Sequence, residues 1–534
     1  MRTEGKKIER LYRMSPAYAA APAANYESAP TYEQTLEEQV LNLLMTGTME
    51  PTFYVDAQEL VNTAIGRFRA CAGEQPEFLA KAAVYARNEG FMRLSPITAL
   101  TVLSTAHDKS LFHKAFPKII RTPGDLQDFV SIILAGGVRG MGRTVKRAVN
   151  TWLANMSEFH ALKYGSEAQA ISLRDIYRLT KPKGFQGQAQ AIARYIVKEE
   201  LDASILPTIA QVERLKKGLP LAESLDIINE AHLPWEIATS LLPRSKELWA
   251  SLASYIPYMA LLRNLNNFAK YGVLDDEGKA ANICRRLSDP LLVRQSKQFP
   301  FRFLTASLAF GDKHTGVSRA LEAAFELAVD NVPPFGDRVM VAVDNSGSMS
   351  SRISERSEVT AAMAAGSLAA IAIKRAGTPL VFTFDSDAHQ QPVDRRQAAL
   401  QMAYQLGQHA GGGTNLSAPL KALLDSGMLI DTALFITDSE SWVDHLRGWG
   451  ALDIIRSYKS RYNPHLRCFF IQVVPYPHRA VPPDEPGCWY IYGWSDSILK
   501  FLAEPGGQVE RVRGTALFTE PQIERQALDK KPWR

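Results

Sequence analysis

Cysteine is scarce: Cys71, Cys284, Cys468 and Cys488 are the only four in 534 residues, and no two share a CxxC spacing. That excludes a zinc ribbon and a disulfide framework, and it fits a reducing compartment. No apolar run approaches the length of a membrane span, and Met1-Arg2-Thr3-Glu4-Gly5-Lys6-Lys7 leads into no hydrophobic signal core. The expectation is a cytoplasmic chain with no membrane partner. The sequence also lacks a Walker loop and any Ser-His-Asp or Cys-His signature, so it is expected not to be an enzyme. What remains is the composition of a globular protein, 46% hydrophobic and 22% charged, too long for one core.

Net charge is +5, unevenly spread. Residues 1–335 carry 40 Lys+Arg against 35 Asp+Glu, whereas residues 336–534 carry 21 of each. Residues 109–198 alone hold 15 basic and 5 acidic side chains. Such a concentration is the footprint of a polyanionic partner, or else an ordinary solvated helical surface.

Two patterns divide the chain. Residues 1–30 contain an Ala/Pro-rich stretch without period and predict a flexible N-terminal arm. From residue 31 to 335, apolar residues recur at helical spacing in Glu37–Leu44, Phe78–Arg87, Pro96–Ala106, Asp125–Leu134 and Tyr258–Phe268. Gly and Pro breakers separate them, which predicts an α-solenoid of degenerate repeats. After Pro333-Pro334, residues 336–505 alternate Val/Ile/Phe-rich strands with helices, predicting a mainly parallel sheet covered on both faces. Residues 506–534 read as an irregular C-terminal tail.

Three pieces of the second half carry chemistry. The strand Val341-Ala342-Val343 runs into Asp344-Asn345-Ser346-Gly347-Ser348. Gly411-Gly412-Gly413-Thr414-Asn415 is a glycine-rich loop presenting a threonine. Leu434-Phe435-Ile436-Thr437-Asp438 is a second apolar strand ending in aspartate. Asp344, Ser346, Ser348, Thr414 and Asp438 offer only hard oxygens, which suit Mg²⁺, with Mn²⁺ or Ca²⁺ as other divalent occupants. The bland alternative makes Asp344 a helix cap and the serines turn residues. A hydrolase is poorly supported. A haloacid dehalogenase-type phosphatase needs a carboxylate at Ser346, and two-metal nucleases need several carboxylates bridging ions about 4 Å apart. Asp385 and Asp387 read as strand-end turn residues, and His389 and His409 as surface residues.

These three pieces, in this order, resemble the metal-ion-dependent adhesion site of a von Willebrand A domain. The resemblance implies that Ser346, Ser348 and Thr414 touch the metal directly and that Asp344 and Asp438 hold it through waters. The metal would then accept a carboxylate from an acidic protein partner. An α-solenoid before such a domain is similar to the TROVE-domain family of Ro-type proteins. Thr46-Gly47-Thr48, Leu79–Arg87, Arg139–Ala148, Ser172–Leu179, Met259–Leu265 and Pro300-Phe301-Arg302-Phe303 resemble that family's segments. The implied fold is an α-solenoid of HEAT-like helical repeats closed into a ring, plus a Rossmann-like von Willebrand A domain.

The implied function is a noncatalytic ribonucleoprotein scaffold. It would bind small noncoding Y-like RNA and the single-stranded 3′ ends of misfolded or precursor noncoding RNA, with an exoribonuclease as a possible partner. Its expected RNA contacts are Arg139, Arg143, Lys146 and Arg147, then Lys163, Arg174, Arg178, Lys181 and Lys183. A second group is Arg285, Arg286, Arg294 and Lys297. The sequence departs from the family at Leu173, where some members carry a histidine implicated in Y RNA contact.

Overall fold

A computed structural model describes residues 21, 23–47, 49–135, 141–165, 171–330, 332–353, 359–408, 411–443, 450–503 and 507–515. From Leu36 to Val329 the described chain is helical. Many helices start where the sequence supplies a cap or a proline. Thr35 and Glu38 form a capping box for Leu36–Thr46, and Ser172 and Asp175 form one for Leu173–Thr180. Pro76, Pro207, Pro290 and Pro300 open their helices, where a missing N–H costs nothing. Most helices bury one stripe, whereas Leu94–Leu103 is buried on every side. Arg143–Ala154 turns Val145, Ala148, Val149 and Leu153 inward and leaves Arg143 and Arg147 exposed.

Helices pack mainly on their near neighbours along the chain, as stacked repeats do. The ends of the stack both reach the second domain. Leu36–Thr46 packs on the strand Cys488–Tyr492, and Pro300–Phe310 packs on the helix Ala361–Arg375. Phe299 and Phe301 meet the Trp494 ring at 6.4 and 6.5 Å between centroids. Phe91, near the start of the stack, lies 6.2 Å from Phe299, near its end. The solenoid therefore closes on itself across the second domain.

That domain is built on a six-stranded sheet. In chain order the strands of the molecule are β1 (Ala23–Ala24), β2 (Pro30–Glu33), β3 (Arg338–Asp344), β4 (Thr378–Phe384), β5 (Ala388–Gln391), β6 (Thr432–Thr437), β7 (Arg467–Gln472), β8 (His478–Arg479) and β9 (Cys488–Tyr492). The large sheet has the order β5-β4-β3-β6-β7-β9, parallel throughout except at the β4–β5 edge. The chain leaves β3 toward β4 and β5, then returns to add β6 on the other side. The crevice between the ends of β3 and β6 is thus the topological switch point, where open α/β sheets bind ligands. β3 and β6 are buried on both faces, which accounts for their unbroken apolar runs.

The N-terminal expectation needs correction. Residues 23–33 do not continue a flexible arm. β1 pairs with β2, and β2 pairs with β8 of the second domain. Polar side chains do what apolar pattern could not: Asn25 Nδ2 donates to the Ser441 carbonyl at 2.7 Å, and Thr31 Oγ1 to that of Arg479 at 2.8 Å. The C-terminal segment is also more regular than expected. Gln508–Gly514 is a helix packed on Pro76–Asn88, with Arg513 paired to Glu37. Residues 1–20, 22 and 516–534 lie outside the described residues.

Candidate metal centre and nucleic-acid interface

Three loops converge at the switch point. The turn after β3 places Asp344, Ser346 and Ser348, all nearly inaccessible to solvent. Asp344 Oδ1 accepts from the Ser346 backbone N–H at 2.9 Å, and the Ser346 and Ser348 hydroxyl oxygens lie 3.2 Å apart. The glycine loop is stitched to this turn: Gly347 N–H donates to the Gly412 carbonyl at 3.1 Å, and Gly411 N–H to that of Asn345 at 3.3 Å. The loop after β6 is stitched in turn to Thr414, whose carbonyl accepts from Trp442 and Val443, each at 3.0 Å. The glycines are required. Gly411 and Gly412 have φ of +87° and +84°, and a Cβ on Gly413 would meet Trp442 at 2.5 Å and Val443 at 2.6 Å.

Asp344 and Asp438 are completely buried. Burial and, for Asp344, the neighbouring Asp438 push that carboxyl up to about 7, against hydrogen bonds from Ser346 and Thr437. Burial and then Glu440 push Asp438 up to about 7 as well. Among the described residues no Lys, Arg or His forms an ion pair with either carboxylate. Asp438 Oδ2 is buried without a hydrogen-bond partner among them. Two buried carboxylates without a counter-cation, one oxygen left over, and three hydroxyl-bearing residues at hand fit a hard divalent cation. Glu440 belongs to a different interaction: its Oε1 pairs with His478 Nδ1 at 2.5 Å, and its Oε2 accepts from the Tyr26 N–H at 3.1 Å.

Sequence reasoning missed Thr437, whose hydroxyl donates to Asp344 Oδ2 at 2.6 Å and fixes that carboxylate. A lone hydroxyl ending an apolar strand was the available signal. Asp385 and Asp387 close a turn on each other, as read: the Asp387 N–H donates to Asp385 Oδ1 at 3.0 Å. His389 is exposed and sits 3.5 Å from Asp385; His409 lies outside the described residues.

The basic side chains divide into two kinds. Arg143, Arg147, Arg178, Lys181 and Lys183 are exposed, and Lys146 is half-buried. The helices Arg143–Ala154 and Leu173–Thr180 pack together, so Arg143, Lys146, Arg147 and Arg178 stand on adjoining helices, with Lys181 and Lys183 just beyond the second. Arg147 Nη2 lies 3.0 Å from His113 Nε2. Arg294 and Lys297 are exposed, and Arg285 is exposed while donating to Asn282 at 3.2 Å.

Other members of the two groups serve the fold. Arg174 donates to the Ile196 carbonyl and to Glu199, each at 2.8 Å. Arg286 donates to the carbonyl of Ala253 in the helix Lys246–Tyr255 and to that of Ile256 just after it, and burial lowers its pKa. Lys163 pairs with Glu236 at 3.4 Å. Arg139 lies outside the described residues. Leu173 is fully buried at the start of its helix, so it packs into the core.

Residues 37–211 and 230–315 match the TROVE domain, and residues 338–504 match the Ro60 vWA domain. The chain is 26% identical over 458 residues to a Deinococcus radiodurans protein named RNA-binding protein RO60, covering 79% of this chain and 84% of that one. It is 25% identical over 477 residues to the protein of the same name from Caenorhabditis elegans, covering 74% and 72%. The crystal structure of the Deinococcus radiodurans RO (RSR) protein superposes with a TM-score of 0.65 at 22% identity, over 88% of this chain and 99% of that chain. Among the described residues no helix is long and apolar enough to cross a membrane. With both halves matched in order, the chain belongs to the TROVE-domain family and carries the Ro60 type of von Willebrand A domain.

Proposed function

We propose that the protein is a noncatalytic RNA-binding scaffold. The observation that carries this reading is the set of exposed cations Arg143, Arg147, Arg178, Lys181 and Lys183 on and just beyond two packed helices, none of which has an acidic partner among the described residues. The name of the D. radiodurans and C. elegans relatives, RNA-binding protein RO60, supports it. Unpaired cations on one surface neutralise phosphates and release counterions, which gives salt-sensitive affinity for RNA of many sequences. The ligands on this reading are structured Y-like RNA on the outer face and single-stranded 3′ ends of misfolded or precursor noncoding RNA. An exoribonuclease would act on the RNA so held, in the cytoplasm.

Asp344, Ser346, Ser348, Thr414 and Asp438 would hold Mg²⁺ or a similar divalent cation. Ligated largely by hydroxyls, such an ion stays electrophilic and can take a carboxylate from a protein partner. The uncompensated pair of buried aspartates favours this second role for the A domain. It is compatible with the first.

The test is equilibrium binding of a structured RNA with and without a single-stranded 3′ tail. Binding that is tighter with the tail, weakens with salt and survives Asp344→Ala supports an RNA scaffold. Absence of binding to either RNA at low salt would move the function to the metal site and a protein partner.

A further inference from the structure

Two segments singled out in the sequence, Met259–Leu265 and Pro300–Phe303, belong to neither site above. They bring Arg263 and Arg302 onto the wall of one cavity of about 170 Å³. The helices Tyr258–Arg263, Leu265–Lys270 and Pro300–Phe310 form most of that wall. Among the described residues no Asp or Glu lines it. Its other polar side chains are already engaged. Asn266 Nδ2 donates to the Ala309 carbonyl at 3.1 Å, while Asn266 Oδ1 accepts from Lys313 at 2.8 Å. Gln298 Nε2 donates to the Ser296 carbonyl at 2.9 Å, and Thr305 Oγ1 to that of Phe301 at 2.7 Å. The rest of the wall is hydrocarbon.

The two arginines differ from these. Neither side chain makes a hydrogen bond or an ion pair among the described residues. Arg302 is half-buried, and its guanidinium lies over the Phe301 ring, 5.2 Å from the centroid. Burial, and then the neighbouring Arg263, lower its pKa. None of its nitrogens is sealed from solvent, so its donors are open to a ligand entering the cavity. By contrast, the half-buried Arg87 and Arg286 have acceptors, the Asp125 carboxylate for one and two carbonyls for the other. A half-buried cation beside a second cation, with no acceptor of its own, costs free energy that a bound anion offsets.

We propose that this cavity holds the terminal phosphomonoester of a single-stranded RNA, gripped by Arg263 and Arg302. This rests on the RNA-binding reading and names the group bound at one place within it. A guanidinium fork matches phosphate oxygens in pairs. Two forks match the two charges that a phosphomonoester carries above its second pKa of about 6. A phosphate inside the chain carries one charge and has two of its oxygens esterified.

The size of the cavity points the same way. It is smaller than the roughly 300 Å³ of a drug-sized site, so it takes the end of a chain rather than several nucleotides. Hydrocarbon around the arginines keeps water back and strengthens their attraction for an anion. Arg294 and Lys297, exposed just before this segment, add to the field that draws a strand toward it.

The experiment uses the full chain and fluorescence anisotropy with single-stranded uridine oligomers of one length, ending in hydroxyls, in a 3′-phosphate or in a 5′-phosphate. A phosphorylated oligomer is expected to bind on the order of tenfold more tightly than the hydroxyl-ended one, and which of the two does so assigns the end. Methylating that phosphate to a diester should remove the gain. Arg302→Gln and Arg263→Gln should each remove it too, with the hydroxyl-ended oligomer's affinity nearly unchanged. Arg263 is exposed, so its replacement tests the site even where Arg302→Gln lowers stability. Arg178→Ala should weaken every oligomer and keep the gain. Equal affinity for all ends, or a gain that survives methylation or both arginine replacements, overturns the proposal while leaving salt-sensitive RNA binding intact. Failure of every oligomer to bind at low salt overturns the RNA-binding reading as well.

Discussion

At the ends of β3 and β6, Asp344 and Asp438 share a water-poor crevice with the hydroxyls of Ser346 and Ser348. Both carboxyls hold protons up to about pH 7 when folded, whereas an unfolded Asp titrates near about 3.9. The folded chain therefore binds more protons than the unfolded chain between about pH 4 and 7, and stability falls as pH rises through that window. In EDTA, the melting temperature is expected to be lower at about pH 8 than at about pH 5 from this contribution. Excess Mg²⁺ should restore it at the higher pH and change little at the lower, since there it must displace protons. Asp438→Asn should remove most of the Mg²⁺ response. A melting temperature indifferent to Mg²⁺ at both pH values, measured by calorimetry, would count against the metal assignment.

The five proposed ligands were legible because each sits within a local signal: an apolar strand ending in Asp, or a glycine run ending in Thr. The roles of Arg174 and Arg286 were not legible. Their partners, the carbonyls of Ile196, Ala253 and Ile256, lie 22 to 33 residues away in neighbouring helices. Sequence alone assigns a charge to such a residue, not its acceptor.

At the scale of elements, helix positions followed from periodicity, caps and prolines, and the strands β3, β4, β6, β7 and β9 from apolar runs. Strand β5, Ala388-His389-Gln390-Gln391, carries no such run because it is an exposed antiparallel edge. The two-residue strands β1 and β8 are too short to show any period. The helix Ala361–Arg375 is Ala-rich because it is enclosed by the sheet and by the helices Pro300–Phe310 and Ala399–Leu406. Its closest approach is at Gly366, where a Cβ would lie 2.4 Å from the Gly407 backbone nitrogen and 2.5 Å from the Ala403 carbonyl oxygen. Backbone atoms cannot step aside as a side-chain end can. Gly366→Ala is therefore expected to cost about 1–3 kcal/mol or more in chemical denaturation. A cost within experimental error would show that the two helices are not packed this closely.

The same reasoning separates the arginines by element. Arg286→Ala should lower stability by about 1–3 kcal/mol, because two buried carbonyls lose their donor, while the salt dependence of RNA binding stays unchanged. Arg178→Ala should do the reverse: little change in melting temperature, a measurable loss of RNA affinity. The opposite outcome in the same pair of assays would interchange their roles.

On the scale of the whole molecule, the solenoid and the A domain hold each other. Gln34 and Asn42 donate to the Tyr476 carbonyl at 3.0 and 2.8 Å, and Trp494 Nε1 to the Val473 carbonyl at 2.7 Å while its ring meets Phe299 and Phe301. A ring closed this way presents its basic surface on a fixed curve rather than on a flexible rod. The alternation of patterns around Pro333-Pro334 showed two architectures in the sequence. Closure was not visible there, because it depends on contacts more than 400 residues apart.

The central claim, that a surface of exposed cations binds RNA backbone, is tested most directly by one comparison. RNA affinity would be measured by gel shift at several salt concentrations for the natural chain and for one with Arg143, Arg147, Arg178 and Lys183 each changed to Glu. If these four neutralise phosphates, the natural chain should lose on the order of 10²-fold in affinity between about 50 and 200 mM salt. The variant should bind far more weakly, with a shallower slope and an unchanged melting temperature. A variant that binds with the same affinity and the same slope would contradict the account and place the RNA surface elsewhere on the molecule.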